Sequence, residues 1–146
     1  MIARASKADR TDPSTGIVFD SKGELGRLHE LQMLVRAGEI AELRRQVSFP
    51  LTIYRFDPIK GIVDLAPHPI LIRSPGYPNG RACKITLDFS YRERQADGKW
   101  IDVLEDWKGL STEAARLRIA VFEAIYGVRV RITGPQVMRK GGGHRK

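Results

Sequence analysis

The chain changes its hydrophobic period several times, and each change marks an element. Glu24, Leu28, Leu31 and Val35 fall along one stripe of a helix, predicting a helix from Lys22 to about Ala37. Ser21 stands at its N-cap and Gly38 where a left-handed C-terminal cap belongs. Glu24 heads the apolar stripe, an odd place for a carboxylate. From Leu43 to Phe56 the period becomes two, with Val47, Phe49, Leu51 and Ile53 alternating with polar or small residues. Pro50 interrupts that pattern and argues for an edge position or a break. Residues 57–82 hold Pro58, Pro67, Pro69, Pro75 and Pro78 with Gly61, Gly76 and Gly80. That density predicts a loop-rich insertion with one short strand at Ile70-Leu71-Ile72.

Lys84 to Arg94 and Trp100 to Lys108 then form a hairpin around Ala96-Asp97-Gly98. Its loop length decides the chemistry. A two-residue Asp97-Gly98 turn would put Asp88 and Asp106 on opposite faces. A three-residue loop with left-handed Gly98 pairs Gln95 with Lys99 and therefore Asp88 with Asp106, and this is the form expected. A second helix is predicted from about Thr112 to Tyr126, closed by Gly127. Its apolar residues make two stripes, Ala114-Leu117-Val121-Ile125 and Ala115-Ile119-Phe122-Tyr126. One should pack on the sheet; the other needs cover from a neighbouring element or a second subunit. Val128, Val130 and Ile132 complete a last strand. Helix, strand, hairpin, helix, strand implies an α/β core with a mixed sheet.

The 146 residues suit one domain, expected over 16–133 between a disordered basic tail at 1–15 and a flexible basic tail at 134–146. Net charge is +8. Arg4, Lys7 and Arg10 precede the folded region, and Arg139, Lys140, Arg145 and Lys146 surround Gly141-Gly142-Gly143. Such tails bind polyanions without sequence preference. No run approaches the roughly 18 apolar residues of a membrane span, and the first residues lack a signal-peptide core. Cys83 is the single cysteine, so no internal disulfide can form and a reducing compartment is expected.

Chemistry concentrates on the hairpin. Asp106 and Lys108 lie two apart on a strand and share a face; with Asp88 opposite, that face becomes an acidic pocket rimmed by an amine. Magnesium-type ions are held by one or two carboxylates plus substrate phosphate, and the Trp107 carbonyl could add a third oxygen. The plain alternative is solvated strand polarity with Lys108 as ion-pair partner. Opposed like charges cost only roughly 0.2–1 kcal/mol, so spacing alone does not choose. Glu24, arriving from the helix, could hold a second ion or water; equally, Ser21-Lys22-Gly23-Glu24 fits a capping box. Glu105 faces away from Asp106 and reads as structural. Trp100 and Trp107 read as core rather than stacking platforms. His29, His68 and His144 have no ligand spacing with one another or with Cys83. Lys22, Arg27, Lys84 and Arg116 are the candidate phosphate contacts, although a solvated helix face explains Arg116 equally well.

Taken in order, Phe19-Asp20-Ser21-Lys22-Gly23-Glu24, Arg36-Ala37-Gly38-Glu39-Ile40, Gln46, Leu87-Asp88-Phe89 and Glu105-Asp106-Trp107-Lys108-Gly109 resemble a family of small phage and prophage proteins. That family looks like a branch of the PD-(D/E)xK nucleases, with the restriction-endonuclease-like fold, and its layout is similar to phage Holliday-junction-resolving endonucleases. The resemblance implies that Asp88 and Asp106 bind Mg2+ or Mn2+, that Lys108 is the catalytic lysine and that Glu24 is the helix acid. Gln46 matches a family glutamine without a defined role, and Leu87 replaces the proline of the superfamily pattern.

The expectation is therefore a metal-dependent endonuclease cutting DNA, branched DNA in phage recombination or genome processing included, inside the bacterial host cytoplasm. A homodimer would place two sites across one junction, with the second stripe of the 112–126 helix as candidate interface. Two other classes stay open: a catalytically silent DNA-binding module with a nuclease fold, and an RNA-directed nuclease or protein-interaction subunit of a packaging complex.

Overall fold

The computed structural model describes residues 6–19, 21–62, 66–108 and 112–135. Asp20, Gly109 and the basic residues of both chain ends, Arg4 and residues 139–146, lie outside the described residues. Helix α1 spans Lys22–Arg36. Ser21 is extended and its hydroxyl accepts the Glu24 N–H at 3.0 Å, satisfying one of the free donors of the first turn. At the other end Gly38 has φ +75°. Its N–H donates to Val35 O and the Glu39 N–H to Leu34 O, both at 3.0 Å, the paired bonds of a Schellman cap.

Strand β1 (Ile40–Pro50) follows at once and ends at its proline. Short strands β2 (Thr52–Ile53), β3 (Phe56–Asp57), β4 (Gly61–Ile62), β5 (His68–Pro69), β6 (Leu71–Ser74) and β7 (Tyr77–Ala82) come next. Then come β8 (Lys84–Arg94), β9 (Trp100–Trp107), helix α2 (Glu113–Tyr126) and β10 (Val130–Thr133). The main sheet has the order β1-β8-β9-β10, with β9 antiparallel to β8 and parallel to β10. The molecule is thus α/β with a mixed central sheet. No helix among the described residues is long and apolar enough to cross a membrane.

The described residues fall into two compact units, one drawn from 6–47, 87–108 and 130–135 and the other from 48–86 and 112–129. In the first, Phe19, Leu25, Leu28 and Leu31 pack with Ile40, Phe89, Tyr91 and Val103. Burial of each large apolar side chain is worth roughly 1.5–3 kcal/mol. The buried stripe of α1 is rotated from the expected one: Leu25 joins it and Val35 is exposed. Residues 6–15, expected to be disordered, are organised. Ala8–Arg10 make a 3-10 turn, and buried Asp12 accepts from the Ser14 and Thr15 hydroxyls at 3.0 and 2.8 Å. A bridge between Thr11 and Val18 closes that loop.

In the second unit the predicted loop-rich insertion is largely short hairpins. Its proline density conceals them, because each strand is only two to six residues long. A triangle of backbone bonds ties it down: Leu51 N–H to Cys83 O, Cys83 N–H to Ile70 O, and Ile70 N–H to Leu51 O, at 3.0, 2.8 and 2.9 Å. Phe122 is buried against Phe49 and Tyr126, with ring centroids 5.0 and 4.9 Å away. The Ala115-Ile119-Phe122-Tyr126 stripe is therefore the packed one, and Leu117 on the other stripe is exposed.

The β8–β9 hairpin has the three-residue loop. Gln95 N–H donates to Lys99 O at 2.7 Å and Gly98 N–H to Gln95 O at 2.9 Å, with Gly98 at φ +84°. Cα pairing runs from Arg94↔Trp100 to Phe89↔Glu105, which sets Asp88 across from Asp106. Edge strand β1 carries the opposite kind of residue: Glu42 and Gln46 both sit at φ +55°, a conformation costing a side chain roughly 1–2 kcal/mol. Such kinks keep an exposed edge from pairing with another chain. Gly98→Ala should lower stability by about 1 kcal/mol, whereas Gln46→Gly should be neutral or stabilising by up to about 1 kcal/mol. Urea unfolding of the two variants measures both.

Candidate functional site

At the end of the β8–β9 ladder the two aspartates take over the hydrogen bonding. The Asp88 N–H donates to Asp106 Oδ1 at 3.3 Å, and the Trp107 N–H donates to Asp88 Oδ2 at 2.8 Å. Each strand thus hands a backbone donor to the carboxylate of the other. Lys108 leaves β9 and its N–H turns to Thr133 O on β10 at 2.8 Å. Its Nζ comes to 2.6 Å from Asp106 Oδ2. Helix α1 supplies the third acid: buried Glu24 lies near enough to the Asp88 carboxyl to oppose its ionisation. The four residues singled out in the sequence, Glu24, Asp88, Asp106 and Lys108, therefore converge in one unit.

Crowded, poorly hydrated carboxyls resist ionisation. Burial, then the Glu24 carboxyl, pushes Asp88 up to about 7. Burial also lifts Asp106, to about 6, with the Asp88 charge adding to the rise and the Lys108 ammonium opposing it. The capping-box account of Glu24 is half right: Ser21 caps the Glu24 amide, while the Glu24 side chain reaches Asp88.

Glu105 points to the other face of β9 and is fully buried. Arg27 Nε and an Arg27 amino group donate to its two oxygens at 2.7 and 2.9 Å, Tyr91 Oη donates at 2.6 Å and Thr133 Oγ1 at 3.0 Å. Burial works to raise the Glu105 carboxyl, but these donors outweigh it and hold it below the usual glutamate range. Burial, then the Glu105 carboxylate, pushes the Tyr91 phenol up to about 12. Arg131 continues the chain of contacts from Tyr91 to Glu93. Arg27 lies one helical turn beyond Glu24, so its bond to Glu105 docks α1 where Glu24 can meet Asp88.

Two glycines fit this docking, and sequence reasoning missed both. A Cβ on Gly23 would lie 2.6 Å from the Trp107 ring, and one on Gly134 would collide with the Lys108 carbonyl. The available signal was a glycine in the first turn of a helix and another directly after the last strand. Among the proposed phosphate contacts, Arg27 is corrected: its guanidinium is engaged by Glu105 and Glu30 inside the protein. Lys22 and Lys84 are exposed at the first positions of α1 and β8, and Arg116 is exposed on α2. His29 lies 3.5 Å from Asp12, apart from the acids.

The donor set is hard oxygen, as magnesium-class ions require. Among the described residues, however, no three His, Cys, Asp or Glu side chains form a ready metal cage. The residues fit an ion held by two carboxylates and otherwise by water and phosphate. No family model, curated protein or solved structure matches the chain.

Removing one partner of a buried ion pair leaves an uncompensated charge. Arg27→Met should cost about 3–5 kcal/mol, and Arg27→Met combined with Glu105→Leu should recover much of it; urea midpoints test this. The raised aspartates predict a pH dependence. The native state holds protons that the unfolded chain releases near pH 4, so with chelator present stability should fall as pH rises from about 4 through 6–7. Asp88→Asn should remove most of that slope in a melting series.

Proposed function

We propose that this chain is a metal-dependent endonuclease that hydrolyses DNA, built on a restriction-endonuclease-like core. The observation that carries the reading is the meeting of Asp88, Asp106 and Glu24 beside one amine, Lys108, at the end of a strand pair. Four residues from three separate stretches of sequence converge there, and solvated strand polarity does not account for a buried glutamate turned toward a half-buried aspartate.

Asp88 and Asp106 are the residues that would hold Mg2+ or Mn2+, with the Trp107 carbonyl as a further oxygen, and such an ion supplies charge stabilisation on phosphate and a more acidic water. The protein's own groups do the positioning. The Trp107 and Asp88 amides each hold one carboxylate oxygen of the opposing aspartate. That contact fixes the direction of the remaining oxygens. Lys108, held at Asp106, places an ammonium where it can offset negative charge on the transferring phosphate or orient water. Glu24 can take or give a proton at Asp88 or anchor a water on the helix side.

One observation favours the runner-up, a DNA-binding module without catalysis. The aspartates already satisfy one another's backbone amides, and Lys108 already neutralises Asp106, so the cluster could serve as a clasp closing the sheet. Nicking of supercoiled plasmid and of a synthetic four-way junction, with magnesium, manganese or EDTA, separates the two. The expected outcome is metal-dependent cleavage that falls at least about 100-fold in Asp106→Asn and in Lys108→Ala, with DNA binding retained. Metal should also raise the melting temperature of the parent protein and not of Asp88→Asn/Asp106→Asn. Undiminished cutting by both single variants would refute the assigned site, and no cutting with either ion would leave the clasp.

A further inference from the structure

Several cations of this protein are paired with carboxylates: Arg27 with Glu105 and Glu30, Arg92 with Asp102, Lys108 with Asp106, Arg131 with Glu93. In the β6–β7 hairpin two arginines are held by neutral groups, as the Phe19 carbonyl and ring also meet Arg10 and Arg45. Arg73 Nε donates to the Pro78 carbonyl across the hairpin at 2.9 Å. The Arg81 guanidinium lies 5.3 Å from the centroid of the Tyr77 ring. Neither contact carries a negative charge, and from Ala66 through Leu87 the sequence contains no aspartate or glutamate. Among the described residues neither arginine has an ion-pair partner. Lys84, directly after the hairpin, adds a third exposed cation.

The hairpin is built to hold these two side chains out. All of β6 is exposed, as is β7 apart from half-buried Gly80. Gly80 has φ +96°, and a Cβ there would meet the Leu71 side chain at 2.7 Å, so the two strands close on each other at that point. The register shifts between Ile72 and Ser74, giving β7 extra residues opposite Arg73. That bulge brings the Pro78 carbonyl to the Arg73 guanidinium. A carbonyl fixes one guanidinium and an aromatic ring the other, and each retains further N–H donors. Ordering is therefore provided before a ligand arrives, which lowers the entropy lost on binding.

We propose that the β6–β7 hairpin is a contact for the phosphate backbone of duplex DNA, with Arg73 and Arg81 as the two phosphate ligands. Pre-set guanidiniums in an acid-free segment match phosphate geometry, and a two-stranded ribbon is an element that a duplex groove accommodates. The proposal rests on the nucleic-acid half of the proposed function and is independent of cleavage.

The test uses the full chain in EDTA, with a labelled short duplex titrated over a range of KCl concentrations. Two lost phosphate contacts in Arg73→Gln/Arg81→Gln should make the slope of log affinity against log salt shallower by about 1.8. Affinity should be weaker at low salt and the melting curve unchanged. Arg73→Lys/Arg81→Lys should keep the parent slope. An unchanged slope in the glutamine variant overturns the proposal. So does a slope change seen with RNA and not with duplex DNA, or an effect confined to self-association in sedimentation. A protein that binds DNA with the predicted slope and never cuts would end the nuclease reading and leave this one standing.

Discussion

Everything at the candidate site depends on the register of one hairpin. Side chains along a strand alternate faces, so a slip of one residue between β8 and β9 would send Asp88 and Asp106 to opposite sides of the sheet. The turn sets that register: a three-residue loop closed by left-handed Gly98 pairs Gln95 with Lys99, and the pairing propagates to the aspartates. A small backbone preference, worth about a kcal/mol, thereby fixes where much larger electrostatic terms operate.

The second constraint is the buried pair between Arg27 and Glu105, which sits behind the acids instead of among them. Adjacent residues of β9 have opposite duties, Glu105 binding the helix and Asp106 facing the cluster. Thr133 joins the same network from β10, and Lys108 joins β10 through its amide. Helix α1 and strands β8, β9 and β10 are thus locked together by polar contacts within a few residues of the site. Buried ion pairs contribute little net stability compared with apolar packing, yet they specify one arrangement, and one arrangement is what a set of converging carboxylates needs.

What could be read from the sequence follows how local each signal is. Helix ends were legible because Ser21, Gly38, Thr112 and Gly127 act on their own neighbours. The hairpin register was legible because a turn of three residues determines it. Between Thr52 and Ala82 the strand expected at Ile70-Leu71-Ile72 is present as β6, shifted by a residue or two, while the two-residue strands β2 to β5 were hidden because periodicity needs more than two residues to show. Order in residues 6–15 was hidden for a related reason: Asp12 holds a polar loop through side-chain bonds that leave no hydrophobic pattern. Arg27 looked like surface charge because nothing local distinguishes an arginine that meets its carboxylate 78 residues away.

Burial and mutual repulsion make the acid cluster costly in its fully ionised form, and that cost bears on how it could work. Asp88 and Asp106 each keep a backbone N–H on one oxygen, a contact that favours the charged carboxylate, while burial and Glu24 oppose ionisation. The balance leaves the pair with pKa values of about 7 and about 6, so near neutral pH a modest electrostatic input decides how far the cluster is protonated. Lys108 supplies part of that input at Asp106, while at Asp88 the third acid adds further repulsion. The cost of ionising the cluster is therefore greatest on the Asp88 side, where the carboxyls of Asp88 and Glu24 face each other.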